Sequence, residues 1–117
     1  MDNKTFFKNV LIGLGIAQTN NALNFLLAWQ KHEGGNEEGT AKNNPLNTTY
    51  NLKDTPNLQT QFNTAKVKNY LTTAAGIKAT VLTLKLPYYQ NIVQALRSGQ
   101  NYNQLKNRVG IAPELKK

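Results

Sequence analysis

The residue in this chain best placed to move a proton is Glu33. It follows a mostly apolar run, Ala22-Leu23-Asn24-Phe25-Leu26-Leu27-Ala28-Trp29-Gln30, and precedes Gly34-Gly35 and a polar loop. At helical spacing it shares a face with Leu26, Trp29 and Gln30. A carboxylate at a helix C-terminus opposes the helix dipole, at a cost of a few tenths to about 1 kcal/mol. The position is therefore mildly unfavourable for the fold. Partial burial against Trp29 and Leu26 would disfavour the charged form and keep the carboxyl protonated near neutral pH, as a general acid requires. The competing reading is a solvated helix-end residue with no chemistry.

Few other chemistries are open. The absence of cysteine removes thiol catalysis, disulfide scaffolds and cysteine-ligated metal sites. His32 is the single histidine, so a multi-histidine metal site is excluded, and neither a metal nor a cofactor is expected. A Ser–His–Asp triad would have to use Ser98, the only serine, with His32 as its base. The acids nearest Glu33 in sequence are Glu37, Glu38 and Asp54, all in loop-like segments. Inverting glycoside hydrolysis needs a second carboxylate about 6.5–9.5 Å from the acid, and retaining chemistry one near 5 Å. If none of the three qualifies, one residue must serve first as acid and then as base.

These groups need a scaffold, and 117 residues argue for one domain, 1–117. Hydrophobic residues make up 39% of the chain, enough for a core. Phe6, Phe7, Val10, Leu11 and Leu14 recur at helical spacing, with Gly15 placed to close the helix. This reading is preferred to a cleaved signal peptide ending at Ala17. Thr19 is a good N-cap for a second helix running to about His32. Residues 34–45 read as loop. Leu46–Leu52 and Leu58–Phe62 alternate and suggest a short irregular hairpin, to which Val67–Tyr70 adds another strand. Thr72 or Thr73 can cap a third helix ending before Pro87, with Gly76, Ala79, Thr80 and Thr83 as a small-residue face. Tyr89, Ile92, Val93 and Leu96 mark a fourth helix from Tyr88 to Ser98, closed by Gly99. Asn103–Arg108 reads as a short last helix, with a loose tail over 109–117. The expected class is α+β, mainly helical with a small ragged β insert. No apolar run approaches 18 residues, so no membrane span is expected.

The balance of 14 Lys and Arg against 6 Asp and Glu gives a formal charge of +8. Such a charge favours a polyanionic partner: nucleic acid, an anionic membrane surface or bacterial cell wall. Compositional bias and solubility are the plainer explanation. Against nucleic acid, the basic residues are scattered over every segment without a basic helix face, and the aromatics fall at core positions.

Four segments together carry a family resemblance: Leu26-Leu27-Ala28-Trp29-Gln30-Lys31-His32-Glu33-Gly34-Gly35, Asn44-Pro45-Leu46-Asn47-Thr48-Thr49, Val67-Lys68-Asn69-Tyr70 and residues 76–84. In this order and spacing, over about residues 6–99, the chain resembles a lysozyme-like domain. It is similar to the small peptidoglycan-degrading domains of bacteriophages, free-standing or within tail tape-measure proteins, which in turn resemble soluble lytic transglycosylases and goose-type lysozymes. The resemblance implies cleavage between N-acetylmuramic acid and N-acetylglucosamine, with Glu33 as the general acid. It implies that the β insert lines one wall of a sugar groove, placing Asn47, Thr48 and Thr49 near substrate. The groove tyrosine of lytic transglycosylases falls on Tyr89, less securely on Tyr88, and Tyr70 is a further candidate wall. Core packing is the alternative for each of these aromatics.

Two departures stand out. Lytic transglycosylases commonly carry Ser directly after the catalytic Glu, where this chain has Gly34, and no second carboxylate is evident. The expected partners are peptidoglycan glycan strands and phage virion or tail components, at the cell wall or periplasm or in the virion. The alternative is a non-catalytic lysozyme-like virion or wall-binding protein.

Overall fold

Local signals begin and end the helices. The computed structural model describes residues 2–33 and 41–102, including the side chains of all of these except His32 and Glu33. Helix α1 spans Asn3–Leu14; the Asp2 carboxylate accepts from the Thr5 amide at its start, and Gly15 closes it in the left-handed conformation at φ 71°. Helix α2 spans Asn20–Glu33, and Thr19 caps it by accepting from the Ala22 amide at 3.1 Å. Thr72 rather than Thr73 caps α3 (Thr73–Leu84), accepting from the Ala75 amide at 3.0 Å. Helix α4 covers Gln90–Ser98 and ends at Gly99, φ 74°. It starts two residues later than the periodicity suggests, because Pro87–Tyr89 forms a separate 3-10 turn. The expected helix over 103–108 and the tail over 109–117 lie outside the described residues.

The molecule is α+β, with four helices and one two-stranded antiparallel sheet among the described residues. One face each of α1, α2 and α4, with Val81 and Leu84 of α3, forms the main core around Phe7, Val10, Leu11, Leu26 and Ile92. A second small cluster, Leu52, Tyr70, Ala75 and Ala79, joins the sheet to α3. Helices α1 and α3 approach closely at Gly13, where an added Cβ would lie 2.7 Å from Val81 Cγ2. Among the described residues no helix is long and apolar enough to cross a membrane.

The β insert differs from the expected hairpin. The strands are β1 (Gln59–Gln61) and β2 (Lys68–Tyr70), paired in the register Gln59–Tyr70, Thr60–Asn69, Gln61–Lys68. Leu46–Leu52 is not a strand. Its alternation is broken by Asn47 at φ 56°, a left-handed conformation that asparagine tolerates better than most residues. The segment 42–48 nevertheless runs beside the free edge of β2 and satisfies it. The Lys68 and Tyr70 amides donate to the carbonyls of Thr48 and Lys42. The Lys68 and Tyr70 carbonyls accept from the side-chain amides of Asn44 and Asn43, at 2.8 and 2.7 Å. Two carboxamides thus stand where the peptide N–H groups of a third strand would be.

Candidate functional site

That edge loop forms one wall of a cavity of about 340 Å³. Leu46, Asn47, Thr48 and Thr49 come from the loop, Thr80, Thr83 and Leu84 from α3, and Trp29 from α2. Tyr89 enters from the 3-10 turn before α4, and Ala65 and Val67 come from the β1–β2 connection and its end.

The wall is fixed from within by Asn44, which is 1% exposed. Its Oδ1 accepts from the Thr48 amide at 2.8 Å, and its Nδ2 donates to both the Thr48 and Lys68 carbonyls at 2.8 Å. The Thr48 hydroxyl lies 2.5 Å from that of Thr83 and accepts from the Tyr50 amide, tying loop to helix. Thr83 and Thr80 also bond back to the carbonyls of Ala79 and Gly76, which is how polar side chains are accommodated on a buried helix face. Gly76 permits the loop to lie so close: a Cβ there would meet the Asn43 carbonyl oxygen at 2.1 Å.

The candidate residues separate clearly. Asn47, Thr48, Thr49 and Tyr89 all line the one cavity. Within this group Thr48 is buried and committed to the loop, Asn47 is half-buried and Thr49 is exposed. Tyr70 does not line the cavity. It is fully buried in the second cluster, where its hydroxyl donates to the Tyr50 carbonyl at 2.5 Å, and burial pushes its phenol well above the usual range. Its place in the sheet turns its ring into core, so the proposed wall at Tyr70 is corrected to a packing residue.

Glu33 ends α2 one helical turn beyond Trp29, which lines the cavity. Its side chain, and the whole of Glu37 and Glu38, lie outside the described residues. Asp54 is not part of the cavity. Its side chain is largely exposed and pairs with Lys78 at 3.8 Å. The described lining holds no carboxylate and no lysine or arginine: it consists of amide, hydroxyl, aliphatic and aromatic groups. No group of three or more potential metal ligands occurs among the described residues.

In the sequence, Thr80 and Thr83 read only as part of a small-residue packing face with Gly76 and Ala79. Their signal was two hydroxyls at i and i+3 on a helix whose other residues are apolar except Thr73 and Lys78. Asn44 stands within the segment Asn44–Thr49, and nothing in the sequence alone gives it a role. No protein-family model, curated protein or solved structure matches this chain.

Proposed function

We propose that this chain is a lysozyme-like enzyme that cleaves the glycan strands of bacterial peptidoglycan, with Glu33 as its general acid. The observation that carries the reading is the cavity itself. It brings the loop residues Asn47, Thr48 and Thr49 together with Trp29 and Tyr89, one turn from the end of the helix that bears Glu33. A sugar ring has apolar C–H faces and a rim of hydroxyl and acetamide groups. Aromatic walls suit the faces, and uncharged amide and hydroxyl groups suit the rim.

In the proposed reaction Glu33 gives its proton to the glycosidic oxygen as the C1–O bond breaks. The resulting carboxylate then takes a proton from the group that attacks C1. If that group is the muramic acid 6-hydroxyl, an anhydro sugar forms; if it is water, a reducing end forms. One residue serves in both steps. The site of action is the cell wall or periplasm, with the protein working free or as part of a phage virion or tail.

Glu33→Gln tests the reading. It should lower the clearing of cell-wall suspensions by ~10²–10⁴-fold with circular dichroism unchanged. Retention of more than a tenth of the activity would overturn the assignment of Glu33. Mass spectrometry of the digest separates the two products, which differ by one water. Binding of glycan without release of any fragment would instead identify a non-catalytic wall-binding protein.

A further inference from the structure

Among the described residues, two buried side-chain nitrogens have no hydrogen-bond partner, and they are consecutive: Trp29 Nε1 and Gln30 Nε2. Buried N–H groups are almost always paired, because an orphan forfeits its hydration and gains nothing in return. Trp29 borders the cavity, where an occupant can bring an acceptor. Gln30 is different. It is 3% exposed and does not line the cavity, so the occupant does not supply its acceptor. That acceptor has to come from the protein.

The register of α2 narrows the choice. Residues three and four apart are neighbours on a helix surface. Within α2 those of Gln30 are Leu26, Leu27 and Glu33, and of these Glu33 alone carries a polar group. Helical side chains lean toward the helix N-terminus, so position 33 overlies the turn that holds residues 29 and 30. We infer that Gln30 is a positioning residue for Glu33: its Nε2 donates to the carboxylate that forms once Glu33 has given up its proton. The inference rests on the assignment of Glu33 as general acid above. A neutral amide suits this task. It favours the carboxylate enough to help the proton leave, yet brings no positive charge that would hold the acid ionised before substrate arrives. The same bond orients the carboxylate for its second step, taking a proton from the group that attacks C1.

The test replaces Gln30 by Met, which keeps the length of the side chain and removes the donor. Losing a buried donor that has no partner in the resting protein should leave the thermal midpoint unchanged or raise it. The Glu33 carboxyl, followed by carboxyl-carbon NMR without substrate, should titrate about 0.5–1 pH unit higher, because its charged form has lost a hydrogen bond. Clearing of cell-wall suspensions should fall by the corresponding factor, about three- to tenfold. Its alkaline limb, where the acid loses its proton, should move up with the carboxyl. In the parent protein the Gln30 side-chain amide signals should shift through the Glu33 titration. Glu33→Gln should abolish that shift, although Lys31 and His32 on α2, Lys4 and Lys8 on α1 and Arg97 on α4 all remain in place. An unmoved carboxyl titration in folded Gln30→Met, an unmoved alkaline limb, or amide signals indifferent to Glu33 would each overturn the positioning role and leave the glycan reading standing. If the parent protein releases no fragment, the glycan-cleaving reading fails, and the two NMR readouts still decide whether Gln30 holds Glu33.

Discussion

Replacing Asn44 by alanine removes the side chain that stands in for a neighbouring strand. The Thr48 amide loses its acceptor and the Lys68 carbonyl loses its side-chain donor, while the Thr48 carbonyl keeps the Lys68 amide. A buried polar group left without a partner costs about 1–3 kcal/mol. Two such groups sum to about 2–6 kcal/mol, and Lys68, only half-buried, recovers part of this from water. The expected loss is therefore about 2–4 kcal/mol, large for a single substitution in a domain of this size. Urea unfolding followed by the fluorescence of Trp29, the only tryptophan, measures it directly. The midpoint should fall with the slope unchanged. Asn44→Asp should be at least as damaging at neutral pH, because it sets carboxylate oxygen against the Thr48 and Lys68 carbonyls. A loss below about 0.5 kcal/mol for the alanine variant, the scale of an ordinary surface change, would refute this account of the edge.

Two further outcomes follow from the backbone. Gly76→Ala should destabilise strongly, since the new methyl would sit 2.1 Å from a backbone oxygen of Asn43 that cannot swing aside, and the thermal midpoint should drop by several degrees or more; an unchanged midpoint would show that the loop does not rest on α3. The N-cap at Asp2 gives a pH dependence: its carboxyl is held below the usual range by hydrogen bonds from Thr5, so its contribution is present above the unfolded-state pKa and disappears as pH falls through the lower folded-state value. Asp2→Ala should accordingly remove stability at neutral pH and flatten the acid limb of the stability curve, and equal slopes in the two proteins would rule the cap out as a source of acid sensitivity.

The helices were legible because their signals are local. Thr19 as N-cap and Gly15 and Gly99 as left-handed stops each act within one turn of the residue concerned. Of the insert, the strands within Leu58–Phe62 and Val67–Tyr70 were legible, but not their pairing with each other or the irregular course of Leu46–Leu52, because pairing is decided elsewhere. Leu46–Leu52 alternates as a strand should, yet its backbone partner is replaced by side chains, and no period-2 pattern distinguishes an amide in the chain from an amide on a side chain. Tyr70 shows the same limit for the site. It and Tyr89 are both tyrosines among apolar neighbours. Pairing of Tyr70 with Gln59 places its ring over Ala75 and Ala79, whereas a proline-started turn aims Tyr89 into the cavity. Trp29 and residues 46–49, from two of the four segments that carry the resemblance, meet only through the tertiary fold.

The choice of side chains over a third strand also shapes the cavity. A carboxamide carries a donor and an acceptor, so it can satisfy a strand edge without committing its own backbone to extension. Asn43 and Asn47 are then able to take positive φ, at 52° and 56°, and the chain turns between them instead of running straight. That turn carries residues 46–49 over α3, where Thr48 meets Thr83 and Gly76 leaves room for Asn43. An ordinary third strand would keep its residues in the plane of the sheet and alternate them between its two faces. The turned loop instead brings four consecutive residues to the cavity, two of them with accessible polar side chains. The asparagine-rich segment thus closes the sheet edge and supplies an uncharged polar rim to the cavity, which under the proposed function would face a sugar ring.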